Sequence, residues 1–157
     1  DDIVGELETR LPISSQYLLD KVKSVLSPSL ALKKFVVELD DFSAFAFPVL
    51  RGLEGVLKQI YFDNGIVIGK EGFGDYLQID GGGINVTLSN NTTSKINCGK
   101  THKAICDIYS FYNYNRHSLF HMDGTIVTSR ILNRTEAESI INNALNLIES
   151  SISNIKS

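Results

Sequence analysis

Residues 43–62 read SAFAFPVLRGLEGVLKQIYF, and this stretch decides the fold. Phe47, Leu50, Leu57 and Tyr61 recur along one side of a helix, and Ala46, Val49, Leu53, Val56 and Ile60 along the adjoining one. A helix that is apolar over most of its circumference has to be surrounded by others, so the segment predicts the central member of a mainly α bundle. Gly52 and Gly55 cost helix propensity but leave room for a close neighbour. Glu54 breaks the pattern, set on the stripe between Leu50 and Leu57. Burying an unpaired carboxylate is costly, so Glu54 needs a partner or a raised pKa. Arg51, one turn earlier, is the structural partner that the spacing offers. The functional alternative is a polar group that supports a catalytic site.

Working outward, Leu18, Leu19, Val22, Val25 and Leu26 form a helical stripe over residues 15–26, entered through Ser14 or Ser15 as N-cap. Ser27-Pro28 restarts the chain as a cap followed by Pro at the first helical position. Leu32, Phe35, Val36 and Leu39 are the next buried face, and the two segments predict an αα-hairpin. Seven of the 12 glycines fall between Gly65 and Gly83, among Ile66, Val67, Ile68, Tyr76, Leu77 and Ile79. This predicts a small β-hairpin insertion over about residues 65–88. Gly65 to Lys70 is not a phosphate loop, because the spacing before Gly-Lys-Ser/Thr is missing and Lys70 precedes Glu71. Helical periodicity returns at Thr101, with Ala104, Ile105, Ile108, Phe111 and Tyr112 as its stripe and Asn113 and Asn115 near its end. Asp123-Gly124 marks a turn, and Thr125 to Leu132 reads as a short strand or a loop. Thr135 with Glu138 is a capping box, opening a helix whose stripe is Ala137, Ile141, Ala144, Ile148, Ile152 and Ile155. The expectation is about five helices with one small β insertion and no internal repeat.

The chain has 157 residues, 43% hydrophobic and 21% charged, with 12 Gly and 3 Pro. That is the size of one domain, spanning residues 1–157, with a core that needs no staples. Cys98 and Cys106 are therefore not required as a disulfide framework, and a cytoplasmic location is expected. The sequence has neither the ~20 consecutive apolar residues that a membrane span needs nor the pattern of a signal peptide. A first residue of Asp1 rather than Met suggests a domain excised from a longer chain. The sequons at Asn85, Asn90, Asn91 and Asn133 arise easily by chance in a chain rich in Asn, Ser and Thr. The net charge of −3 hides an asymmetry: Lys100, Lys103, Arg116, Arg130 and Arg134 face only Asp107 and Asp123 within residues 98–134, which also hold all 3 histidines. Such a segment on an acidic body suits an anion-binding site, and a solvated helix face gives the same count.

The residues that could carry chemistry lie in Asn115-Arg116-His117-Ser118-Leu119-Phe120-His121, at the C-terminal end of the helix that begins near Thr101. Imidazole takes or gives a proton near neutral pH, and a guanidinium holds a phosphate oxygen pair through parallel hydrogen bonds. Together they form a minimal phosphodiester-cleaving pair. Metal binding competes, with His102, Cys106, His117 and His121 as conceivable ligands, but no Cys-x-x-Cys or His-Glu-x-x-His pattern is present. The chain offers neither a carboxylate cluster for magnesium nor a closed zinc set, so no metal or cofactor is expected. Cys106 lies beside an apolar stripe and reads as packing rather than as a nucleophile.

Arg116 to His121 resembles the Arg-x4-6-His motif of HEPN-domain ribonucleases, in which a polar residue often follows the Arg, as His117 does here. Phe45 to Lys58 is similar to the central helix of the C-terminal domain of RnlA/LsoA-type bacterial toxins. These are endoribonucleases of toxin-antitoxin systems that act against phage. The resemblance implies an HEPN-like helical bundle and an active site of Glu54, Arg116 and His121, with His117 in support; Arg51 is added as a supporting residue by its place one turn before Glu54. It also implies RNA as substrate, metal-independent cleavage by 2′-hydroxyl attack, a homodimer with the two motifs across a shared cleft, and an antitoxin or phage-encoded inhibitor protein as partner. Some HEPN domains have lost activity and act as scaffolds or binding modules, which is the rival reading.

Overall fold

A computed structural model describes residues 3–80, 85–120, 126 and 129–157. Helix α1 covers Ile3–Arg10, α2 Ser14–Tyr17, α3 Asp20–Leu26 and α4 Pro28–Leu32; a 3₁₀ turn at Ser43–Ala46 leads into α5, Phe47–Asp63. Strands β1, Leu77–Ile79, and β2, Val86–Leu88, precede α6 at Asn90–Thr93, α7 at Gly99–Phe120 and α8 at Arg134–Lys156. The strands pair antiparallel with Leu77 opposite Leu88 and Ile79 opposite Val86. The result is the expected mainly helical bundle with one small hairpin.

Helix α5 is the centre. Its Val49, Leu50, Leu53, Val56, Leu57, Ile60 and Tyr61 are all buried, and α3, α7 and α8 pack around it. Pro48 opens α5, and Gly65, at φ 83°, lets the chain turn away after it. Phe47 departs from the expected stripe: it is 37% exposed, and its ring meets Phe120 edge to face at 4.7 Å. Gly52 fulfils the expected close approach, since a Cβ there would lie 2.1 Å from Leu26 Cδ2 on α3. On α8 the stripe from Ala137 to Ile152 is buried as expected.

Three boundaries differ from the sequence expectation, the first two for a contact with a distant residue and the third for a local one. The predicted helix over residues 15–26 is split into α2 and α3. Buried Gln59 holds the break: its Oε1 accepts from the Leu19 N–H at 2.8 Å, and its Nε2 donates to the Tyr17 carbonyl at 2.8 Å. Leu19 is turned out instead of buried. The next helix stops at Leu32, and Phe35, Val36 and Leu39 are exposed at 58%, 96% and 45%. Arg134 Nη2 donates to the Lys33 carbonyl at 3.0 Å, supplying a partner just past the end of α4. The capping box of α8 is Asn133 with Glu136, two residues before the predicted Thr135 with Glu138. Glu138 is held by Arg134 Nε at 3.1 Å. Helix α1 and the short α6 have no counterpart in the sequence expectation, and Ile66–Ile68 lie outside the ladder, Ile66 and Ile68 being buried as apolar anchors. Cys98 and Cys106 are free thiols. Among the described residues no helix is long and apolar enough to cross a membrane. The predicted Asp123-Gly124 turn lies outside the described residues, as does part of Thr125–Leu132.

Candidate active site

Helices α5 and α7 run antiparallel. Phe47 of α5 meets Phe120 of α7 at one end, and further along Glu54 meets Tyr112. Glu54 sits on the apolar side of α5 but is only half-buried. The Tyr112 hydroxyl donates to Glu54 Oε1 at 3.5 Å, a long hydrogen bond. One turn further along α7, the Arg116 guanidinium carbon lies 6.0 Å from the centroid of the Tyr112 ring, within range of a cation–π contact. Carboxylate, phenol and guanidinium therefore stand in a row along the α5–α7 seam. Arg116 itself is exposed.

Burial pushes Tyr112 up to about 12, Glu54's negative charge pushes in the same direction, and Arg116 opposes both. The phenol therefore keeps its proton at neutral pH and remains a donor. Tyr109, whose ring centroid is 6.0 Å from that of Tyr112, is raised by burial and lowered by Arg116. The guanidinium thus lies over the ring of one un-ionised phenol and within electrostatic reach of a second, and among the described residues no ion pair engages its N–H fork.

Other basic residues of the 98–134 segment are engaged elsewhere. Lys103 pairs with Asp107 at 2.5 Å on the same helix, Lys100 donates to Ser157 Oγ at 3.1 Å, and Arg134 is held by Glu138 and the Lys33 carbonyl. Arg116 is the cation of this segment that the fold sets beside Glu54 and Tyr112.

Among the described residues no ion pair joins Arg51 to Glu54. Arg51 is exposed and lines a separate groove with Lys21, Pro28 and Phe47. His117 is exposed on α7 next to Arg116, and His121 lies outside the described residues. Among the described residues no three His, Cys, Asp or Glu side chains converge as metal ligands would. His102 Nε2 is hydrogen-bonded to the Ile96 carbonyl. The Cys106 thiol is pushed up by burial and by Asp107, with Lys103 opposing, so it holds its proton and packs.

Tyr112 is not recognisable from the sequence as a site residue, because its ring falls in the apolar stripe of α7. The available signal is its place one turn before Arg116. Arg130 is not recognisable as one either. Its Nη1 donates to Ser118 Oγ at 2.6 Å and to Asn115 Oδ1 at 3.2 Å, and its guanidinium carbon lies 5.4 Å from the Tyr114 ring centroid.

The profile of a family described as RnaseLS-like HEPN matches residues 15–139. The mRNA endoribonuclease LsoA of Escherichia coli O157:H7 is 31% identical over 156 residues, covering 99% of this chain and 44% of the relative. The mRNA endoribonuclease toxin LS of Escherichia coli K12 is 28% identical over 127 residues, covering 80% of this chain and 35% of the relative. A crystal structure of Escherichia coli toxin LsoA in complex with T4 phage antitoxin Dmd superposes with a TM-score of 0.81 at 30% identity, over 96% of this chain and 59% of the solved one. The chain thus spans less than half the length of these curated relatives.

Proposed function

This chain belongs to the RnaseLS-like HEPN family, and from that premise we propose that it is a metal-independent endoribonuclease, the toxin of a toxin-antitoxin or anti-phage system. Residues 1–157 act as one catalytic domain. The observation that carries the reading is the row of Glu54, Tyr112 and Arg116 along the α5–α7 seam, in a chain whose relatives are mRNA endoribonucleases.

In this mechanism the 2′-hydroxyl of RNA attacks the adjacent phosphorus and the 5′-oxygen leaves, which restricts the reaction to RNA. Arg116 neutralises charge developing on the phosphoryl oxygens. His121 moves the proton, as base for the 2′-hydroxyl or acid for the 5′-oxygen. Glu54 acts through Tyr112: the carboxylate holds the phenol, and the phenol ring supports the guanidinium. His117 orients the substrate beside Arg116. Arg51, which lies toward a separate groove, is left in a supporting role outside the proton transfers.

The protein works in the cytoplasm as a homodimer and is controlled by an antitoxin or phage-encoded inhibitor protein. The second partner assignment is supported by the solved relative, a toxin in complex with a phage antitoxin.

The test is a gel of RNA incubated with the purified chain in EDTA, beside Arg116→Ala and His121→Ala. Cleavage by the parent should persist in chelator and fall by about 10²–10⁴ in the His121 variant, with folding intact. An undiminished rate in His121→Ala removes the assignment. Loss of cleavage in EDTA, restored by one particular metal, overturns the metal-independent mechanism. Silence of the parent, with retained inhibitor binding, makes the chain a binding module.

A further inference from the structure

We propose that the Tyr114–Arg130 pair is a base-stacking subsite for single-stranded RNA, reached from Arg116 around the outward side of α7. The proposal rests on the endoribonuclease reading and adds where the strand lies beyond the cleaved phosphate.

Successive residues of an α-helix are rotated by about 100°, so Arg116, Asn113, His117 and Tyr114 follow one another around α7 in steps of roughly 40–60°. Arg116, His117 and Tyr114 are exposed and Asn113 is half-buried. This order makes a continuous track from the guanidinium of the candidate site to an aromatic ring on the other side of the helix. Tyr114 is 64% exposed even though Arg130 lies over its ring.

Arg130 is fixed there by Ser118 Oγ and by buried Asn115, so the Arg–Tyr stack is preorganised. A flat, partly covered aromatic with a guanidinium on it suits the π-face of a nucleobase, whatever its identity.

Beside the stack is a groove of about 750 Å³ between α7 and α8, with Phe111 and Ile140 among its apolar lining and Asn143 and Ser139 among its polar lining. Asp107 and Glu136 also line it, the first paired with Lys103 and the second accepting from the Asn133 N–H, so the groove offers remaining carboxylate oxygens to base amino groups and no uncommitted cation to phosphate. The strand therefore keeps its phosphates on the Arg116 and His117 side and turns a base inward at Tyr114. A peptide or a second copy would have less use for this combination, because the one cation of the groove is already spent on the ring and on two fixed acceptors.

The chain has no Trp, so Tyr114→Trp places a single indole at the subsite. The probe is a 2′-O-methyl oligoribonucleotide, which lacks the attacking hydroxyl and stays intact. The indole emission should be quenched saturably as oligonucleotide is added. By anisotropy, Tyr114→Ala should bind the same oligonucleotide about tenfold or more weakly than the parent, and Tyr114→Phe about as well as the parent. In cleavage of RNA, Tyr114→Ala should raise KM with little change in kcat.

If Tyr114→Ala binds as the parent does while the parent cleaves RNA and Arg116→Ala does not, the subsite is wrong and the endoribonuclease reading stands. If the parent neither binds nor cleaves RNA, that reading fails and the subsite falls with it. An indole that responds to rising protein concentration but not to oligonucleotide identifies a protein contact and overturns the proposal.

Discussion

At Glu54 a carboxylate meets a phenol that keeps its proton, and the pair lies beside a guanidinium on the next turn of α7. Glu54→Gln preserves the volume and an acceptor for Tyr112 but removes the charge. The fold should therefore survive, with a melting temperature close to the parent's, while cleavage falls by about tenfold or more. Unchanged specific activity with a lowered melting temperature would make Glu54 purely structural. Measuring both quantities on one sample separates the two. A different carboxylate contributes to the acid stability of the fold. Glu149 Oε2 and Oε1 accept from the Ile13 and Ser14 N–H groups at 3.0 and 2.9 Å, fixing the start of α2 to α8. Partial burial raises its pKa, but the hydrogen bonds from Ser14 and Ile13 and the nearby Arg10 outweigh it, so the value is lowered from 4.5. A carboxyl with a depressed folded pKa contributes stability that is present in full above its unfolded value and lost as pH falls through the folded one. Glu149→Ala should cost about 1–2 kcal/mol at neutral pH. The deficit relative to the parent should shrink below about pH 4.5, as followed by thermal melts across an acid series. A deficit independent of pH would mean that packing, not charge, is what Glu149 supplies.

The contact between α3 and α5 makes opposite predictions for two glycines one turn apart. A Cβ at Gly52 would lie 2.1 Å from Leu26 Cδ2 and 2.7 Å from its Cγ, and Leu26 is fully buried, so it has no space to rotate into. Gly52→Ala should destabilise by about 1–3 kcal/mol despite the gain in helix propensity. At Gly55 the nearest atom would be Val22 Cγ2 at 3.5 Å, an ordinary contact. Gly55→Ala should therefore stabilise by up to about 1 kcal/mol, and chemical denaturation of the two variants tests the pair. Equal signs would refute the packing argument. That such glycines mark a close neighbour was legible in the sequence, because apolar residues around nearly all of α5 leave no other place for it. The ends of elements were less legible. Helix α4 stops because the side chain of Arg134, 101 residues away, takes the Lys33 carbonyl. The break between α2 and α3 exists because Gln59, on another helix, answers the Leu19 N–H and the Tyr17 carbonyl. Periodicity within a window carries no record of a hydrogen bond from outside it. The candidate site divides in the same way. Glu54 announced itself as a charge on an apolar stripe, whereas Tyr112 passed as core because a phenol counts as apolar until its hydroxyl is given a partner.

The whole molecule poses a proton-counting problem. Cleavage by a 2′-hydroxyl needs one proton removed from the nucleophile and another delivered to the leaving 5′-oxygen, yet Arg116 and His121 in one chain supply a single group of suitable pKa. The row along the α5–α7 seam does not add a second. Tyr112, pushed up to about 12, keeps its proton near neutrality and directs it at Glu54 Oε1, so the phenol and the carboxylate are engaged with each other rather than with the reacting oxygens. Two copies of His121 facing each other across a twofold axis would provide both, and a symmetric contact is the commonest way for a chain to meet itself. Specific activity should consequently fall when the protein is diluted through the range in which light scattering shows dimers dissociating. Excess His121→Ala chain should suppress the parent by drawing it into mixed dimers that retain one imidazole, and Arg116→Ala should do the same. Activity per chain that stays constant while the protein is monomeric would defeat the composite site. The second proton would then have to move within one chain, and His117, exposed beside Arg116, becomes the group to substitute first. His102 comes after it, since one of its ring nitrogens is already committed to the Ile96 carbonyl.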